Sequence, residues 1–182
     1  MKRINIAQIG AGHDHATAVI QTLKLQSDIY NLIGYAVPEG KEEAYNRGRV
    51  AYDGVKRMTV DEILNYPGLD AVCIETEDNR LTEYARMAAD AGLHIHMDKP
   101  GSVSDGDFLG LADLAKEKGV VLHLGYMYRY NPAILRLKED IAAGKLGEIY
   151  AVEAQMSCLH STEKRKWLAD YPGVCCIFSV VT

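Results

Sequence analysis

From residue 4 to residue 124 the sequence alternates short apolar runs with helix-spaced segments, and this rhythm leaves few folds open. Ile4-Asn5-Ile6-Ala7-Gln8-Ile9 is a β-rich run stopped by Gly10. Ala16, Val19, Ile20 and Leu23 then recur at intervals of three and four, which is one helix face. Residues 32–37 read as a second strand ended by Pro38, and residues 39–47 as a short polar helix. Thr59 and Glu62 have the spacing of a reciprocal N-terminal cap, and Pro67-Gly68 ends the helix they start. Ala71-Val72-Cys73-Ile74 is continuously apolar, as in a strand covered on both faces. Residues 81–91 read as a helix closed by Gly92, 94–97 as a strand, 104–118 as a helix closed by Gly119, and 120–124 as a strand. Strict alternation of this kind predicts βαβ units and a doubly wound parallel sheet over residues 1–125. Beyond Gly125 the rhythm changes. A helix is expected from Asn131-Pro132 to residue 143, a turn over 144–147, and a strand over 149–156. One helix and one strand do not close a core, so residues 126–182 read as the incomplete start of an α+β second domain.

Composition removes whole classes of function. With 48% hydrophobic and 25% charged residues the chain has too much apolar material to be disordered. A net charge of -5 without any basic block excludes nucleic acid and anionic membrane as main partners. The late uncharged run over residues 171–182 is too short to span a bilayer, and Met1-Lys2-Arg3 leads into a strand rather than a signal sequence. Four cysteines without framework spacing suit a reducing cytoplasm. Cys158-Leu159-His160 is too sparse for a metal site, and no metal is expected.

Gly10-Ala11-Gly12 falls where the first strand turns into the first helix. Gly10 permits a tight turn, and Gly12 lets the backbone approach a pyrophosphate held at the helix N-terminus, as in Rossmann-like domains. The third position of that fingerprint is His15, so the motif is incomplete. His13 and His15 either flank the ligand or make local helix-start bonds. An acidic residue is expected near the end of the second strand to hold a ribose. Val37 occupies the expected place and Glu39 is the nearby carboxylate, which serves equally well as a first-turn helix residue. No arginine stands there for a 2′-phosphate, and Lys41 is a poor substitute. The balance favours NAD, with NADP left open.

The segment Gly92-Leu93-His94-Ile95-His96-Met97-Asp98-Lys99-Pro100 resembles the glycine-x-His-strand-(Glu/Asp)-Lys-Pro signature of the Gfo/Idh/MocA oxidoreductases. Asp70-Ala71-Val72 with Thr76, the run from Gly125 to Pro132, and Gly147-Glu148-Ile149 resemble further stations of that family in the same order, out to about residue 173. The resemblance implies an NAD(P)-dependent enzyme that moves hydride from a sugar or cyclitol hydroxyl to nicotinamide, homo-oligomeric at full length. It assigns Lys99 to the substrate hydroxyl, with Gly10, Gly12, His13, Glu39, Thr76, Asp98 and Pro100 around the cofactor. Tyr126 and Arg129 would meet a polyol or sugar; Tyr128 and Tyr130 serve equally as packing. The residues alone support Lys99: it ends a sheet strand where doubly wound folds bind ligands, and the proline after it favours extended backbone. In a partly dry pocket burial would lower its pKa toward neutrality.

Departures from the pattern carry expectations too. Asp98 replaces the commoner Glu with a shorter carboxylate. Glu77 and Asp78 stand where the family often has proline, and they are expected to face solvent, since inward carboxylates would repel phosphate. His94 and His96 are expected at the core edge, with Cys73 inside the core. Trp167 to Gly173 resembles the approach to a second acidic residue and a catalytic histidine, but residues 174–182 leave the pattern. This reads as a frameshifted or prematurely ended frame. A chain of that kind should bind dinucleotide weakly, turn over little, and expose an apolar face that makes it sticky or oligomeric. The alternative is a non-catalytic nucleotide-binding module derived from the same family.

Overall fold

The sheet is built from six parallel strands in the order β3-β2-β1-β4-β5-β6. The strands are β1 (Ile4–Ile9), β2 (Tyr30–Ala36), β3 (Arg57–Met58), β4 (Ala71–Ile74), β5 (His94–Met97) and β6 (Leu122–Leu124). This computed structural model describes residues 2–38, 40, 45–46, 48–102, 104–155 and 162. The helices are α1 (Ala16–Leu25), α2 (Val60–Leu64), α3 (Leu81–Asp90), α4 (Asp105–Lys118) and α5 (Pro132–Ala142). Contacts divide the chain into two units, Met1–Gly125 and Tyr126–Thr182. The first is a doubly wound, Rossmann-like domain, with its order reversal between β1 and β4.

Register aligns the side chains in rows across the sheet. Ile9, Ile74, Met97 and Leu124 form one row, and Gln8, Cys73, His96 and His123 another. The first of these rows is dry: Ile9, Ile74 and Met97 are fully buried. Helix α3 lays Leu81, Tyr84, Ala85, Ala88 and Ala89 into the same core, the alanines letting it approach closely. Each buried Ile or Leu contributes roughly 1.5–3 kcal/mol of transfer free energy.

Local signals set the element ends. Thr59 Oγ1 accepts from the Glu62 N–H at 3.1 Å, while the Glu62 carboxylate accepts from the Thr59 N–H at 2.7 Å. Gly119 ends α4 in the left-handed region at φ +68°, and Asn131 caps α5 with Pro132 in its first turn. The strand β3 was not expected. It is two residues long, carries no periodicity, and exists because Tyr35 and Ala36 offer it a paired edge. Residues 149–155, expected as strand, hold no strand pairing; an extended segment becomes a strand only when a neighbour takes up its N–H and C=O groups. No helix among the described residues is long and apolar enough to cross a membrane.

Candidate functional site

The chemistry collects at the carboxyl ends of β1, β4 and β5, which are neighbours in the sheet. At the end of β1 the chain turns at Gly10 with φ +104° and runs against the backbone of Glu75 and Thr76. The N–H groups of Gly12 and His13 both donate to the Glu75 carbonyl, at 3.0 and 3.1 Å. From below, the buried Gln8 amide donates to the carbonyls of Gly10 and Ala16, at 3.0 and 3.1 Å. The turn is thus braced from its own strand and from β4 before any ligand arrives. Sequence reading passed over Gln8, although a polar residue inside an otherwise apolar strand was the available signal.

From β5, Asp98 and Lys99 reach the same place. Asp98 is buried, and Lys99 is half-buried. The Asp98 Oδ1 accepts from the Lys99 N–H at 2.6 Å, and its Oδ2 lies 2.8 Å from His15 Nδ1. The peptide bond between Lys99 and Pro100 is cis. His13 is buried in the middle of the group. Its Nδ1 accepts from the His15 N–H at 3.1 Å, which leaves Nε2–H to donate to the Lys99 carbonyl at 3.1 Å. Local bonding and the ligand site are therefore not alternatives for His13: it makes a helix-start bond and also bridges to β5.

The electrostatics follow from burial. The His13 imidazole is pushed down to about 4 by desolvation, against the pull of Asp98 and with the Lys99 charge adding to the fall. Burial, and then the Asp98 charge, push the Glu75 carboxyl well above the usual range, while Lys99 opposes them. Burial also works against ionised Asp98, but the His15 bond, His13 and the Lys99 N–H outweigh it and hold that carboxyl below its ordinary value. The signs give a pH prediction. Unfolded chains bind a proton at His13 near pH 6.5 and the folded protein near pH 4, so across that window stability from this group rises with pH. Glu75 runs the other way: its stabilising contribution is complete below 4.5 and is lost as pH rises through the raised folded value. Glu75→Gln should therefore be more stable than the parent at pH 8, by about 1 kcal/mol or more, with the gain vanishing near pH 4. Urea midpoints with a chelator present measure this, and an equal gain at both pH values would refute it.

Two expectations are corrected here. Glu77 is buried rather than solvated, and its carboxyl lies where a Cβ on Gly12 would stand, 2.7 Å from that position at Cδ. Asp78 Oδ1 lies 3.4 Å from His13 Nε2. Both acids turn inward because the segment after β4 folds over the glycine turn. On the same edge His13, His15 and Asp98 each place one possible ligand atom so that the three lie within 4.8 Å of one another. Nothing in the linear order announces this, because Asp98 is 83 residues from His15.

The remaining positions sort by unit. Thr76 is buried beside Gly10, and its Oγ1 has no hydrogen-bond partner among the described residues. Tyr126 and Arg129 belong to the second unit, exposed at and within the short 3-10 turn Met127–Tyr130. Glu39, Lys41, Cys158, His160 and residues 163–182 lie outside the described residues. Cys73 is buried, as expected. His96 is half-buried with its Nδ1 2.8 Å from that of His123, whereas His94 is exposed and accepts from the Val121 N–H.

Comparison with known proteins agrees with this geometry. The sequence profile described as "Oxidoreductase family, NAD-binding Rossmann fold", that of Gfo/Idh/MocA, matches residues 4–126. The rhizopine catabolism protein MocA of Rhizobium meliloti is 30% identical over 158 residues, 84% of this chain and 46% of that protein. The scyllo-inositol 2-dehydrogenase (NAD+) of Bacillus subtilis strain 168 is 33% identical over 97 residues, 52% of this chain and 28% of that protein. Among solved structures, levoglucosan dehydrogenase in complex with NADH and levoglucosan is similar with a TM-score of 0.67 at 26% identity, covering 81% of this chain and 41% of that one. The chain spans less than half the length of these relatives. A match over residues 4–126, together with a glycine turn and an Asp-Lys-Pro strand exit in register on one sheet edge, places the chain in the Gfo/Idh/MocA oxidoreductase family.

Proposed function

We propose that this chain carries the dinucleotide-binding half of an NAD(P)-dependent oxidoreductase acting on a sugar or cyclitol hydroxyl. One observation supports the reading above the others: the Gly10–Gly12 turn, Thr76 and Asp98-Lys99 converge at the point where the strand order reverses. The site fits a dinucleotide in three respects. Gly10 makes the tight turn that lies against the β4 exit, Thr76 Oγ1 is an orphaned buried hydroxyl, and α1 begins without a side-chain cap or a first-turn acid to compete for an anion. When bound, the dinucleotide supplies the nicotinamide ring that accepts hydride.

The residues of the chain have separate tasks. Gly10, Gly12 and Thr76 would seat the phosphates and the adjoining ribose. Lys99 would hold the substrate hydroxyl and take up its proton, with Asp98 and His13 fixing the backbone from which it projects. Residues 126–182 would begin the part of the protein that chooses substrate and partner copies, Tyr126 and Arg129 among them. NAD is favoured over NADP on the sequence around Val37. The relatives named above act, by their names, on inositol and levoglucosan, which supports a polyol or anhydrosugar as substrate.

Glu77 gives weight to the second reading, a nucleotide-binding module of weak affinity, because its carboxyl rests against Gly12, where a phosphate would approach. Glu77→Gln should therefore tighten NADH binding by about tenfold, the scale of one unfavourable charge contact. Fluorescence titration of NADH against both chains measures it, and an unchanged Kd would show that the carboxylate swings clear unaided. Turnover with NAD and a polyol panel separates enzyme from module; NADH binding without any turnover favours the module.

A further inference from the structure

We propose that His13, His15 and Asp98 form a binding site for one divalent transition-metal ion of the Zn2+ and Co2+ class. The site does not depend on a bound dinucleotide. The three residues place one ligand atom each within 4.8 Å of one another, and Asp98 Oδ2 is the oxygen that both Nδ1 atoms approach. Around a tetrahedral ion with bonds of 2.0–2.2 Å, neighbouring ligand atoms stand roughly 3.4 Å apart. His13 Nδ1 is 3.4 Å from Asp98 Oδ2, already that spacing. His15 Nδ1 is 2.8 Å from the same oxygen and would open by about 0.6 Å to reach that spacing. Two imidazoles and one carboxylate select a borderline cation over Mg2+ or Ca2+, which prefer all-oxygen shells.

Three further features point to a cation. First, the unprotonated His13 Nδ1 lies between two acids, 3.4 Å from Asp98 Oδ2 and 3.6 Å from Glu75 Oε2, with its own proton on Nε2. Second, both Glu75 carboxyl oxygens are fully buried and have no hydrogen-bond partner among the described residues. A cation at His13 would place positive charge beside this orphaned acid. Third, His13 donates Nε2–H to the Lys99 carbonyl at 3.1 Å, the outer bond that fixes a metal-binding imidazole in orientation and tautomer. The ion has to displace the bond from the His15 N–H to His13 Nδ1, and to take the place of the proton shared by His15 and Asp98. That proton moves to His15 Nε2, and the His15 side chain is one-third exposed, so solvent can meet it. Water completes the coordination.

The test is a Co2+ titration of the purified chain followed by visible d–d absorption, then displacement by Zn2+ in a calorimeter. One ion per chain is expected, with His15→Ala and Asp98→Asn each weakening it by at least about tenfold. His94→Ala, an exposed histidine on β5 outside the cluster, should leave binding unchanged. Should Asp98→Asn fail to fold by circular dichroism, His15→Ala carries the comparison. The proposal is overturned if the parent takes up no ion at a defined ratio, or if His15→Ala binds as tightly as the parent. A chain that binds NADH but no Co2+ overturns the metal site and leaves the dinucleotide reading standing; stoichiometric Co2+ uptake without NADH binding supports the metal site alone.

Discussion

Gly10→Ala is expected to destabilise the domain by about 3–5 kcal/mol and to remove dinucleotide binding. Two costs add at this position. The backbone sits at φ +104°, where a side chain costs about 1–3 kcal/mol. A Cβ there would also meet the backbone of Thr76 and Glu75, 2.5 Å from the Glu75 carbonyl carbon and 2.6 Å from its oxygen. Backbone atoms in a sheet edge cannot rotate away, so strands β1 and β4 would have to separate where Glu75 N–H donates to the Ile9 carbonyl at 2.8 Å. Gly12→Ala makes the informative contrast. Its φ is ordinary and its new Cβ meets only the end of Glu77, at 2.7–3.0 Å, which can turn aside. That change should cost less than about 1 kcal/mol in stability while still weakening phosphate approach. Urea denaturation of the two variants distinguishes them, and equal losses would mean the turn is not pressed against β4.

On the proposed function, Lys99→Met should lower kcat for polyol oxidation by about 10²–10⁴-fold while leaving NADH affinity within a few-fold of the parent. Methionine keeps the length and apolar stem of lysine and removes only the ammonium, so packing at the strand exit survives. The two bonds that shape this exit come from the backbone of residue 99, the N–H to Asp98 and the carbonyl to His13, and neither is altered. A split between turnover and binding is therefore the signature of a group acting on substrate. Equal loss of both, seen in NADH fluorescence beside initial rates, would make Lys99 a structural or cofactor-holding residue instead.

The legible part of the chain is its local grammar. Thr59 and Glu62 form the reciprocal cap their spacing announces, Gly119 ends α4 in the left-handed region, and β5 spans the residues expected of it. Such features depend on neighbours within about four residues, which the chain order supplies directly. Less visible were β3 and the fate of residues 149–155, because pairing partners decide both. At the site the glycine turn and the Asp-Lys-Pro exit were legible as separate motifs. Their mutual support through Glu75 and His13 was not, since those bonds join different strands or loops. Glu77 shows the same limit. Its charge was legible and its direction was not: repulsion of phosphate argued for solvent, and the path of the chain after β4 turned it onto Gly12.

The order of residues alone thus determined a parallel α/β sheet, the place of its glycine turn and the presence of a lysine at a strand end. These follow from periodicity, caps and turns, all short-range. Only the tertiary structure decided that His13, Glu75 and Asp98 would be buried together with His15 at their margin, and that both Glu75 carboxyl oxygens would lack a hydrogen-bond partner among the described residues. Burial and convergence belong to the packed sheet, and no run of neighbouring residues encodes them.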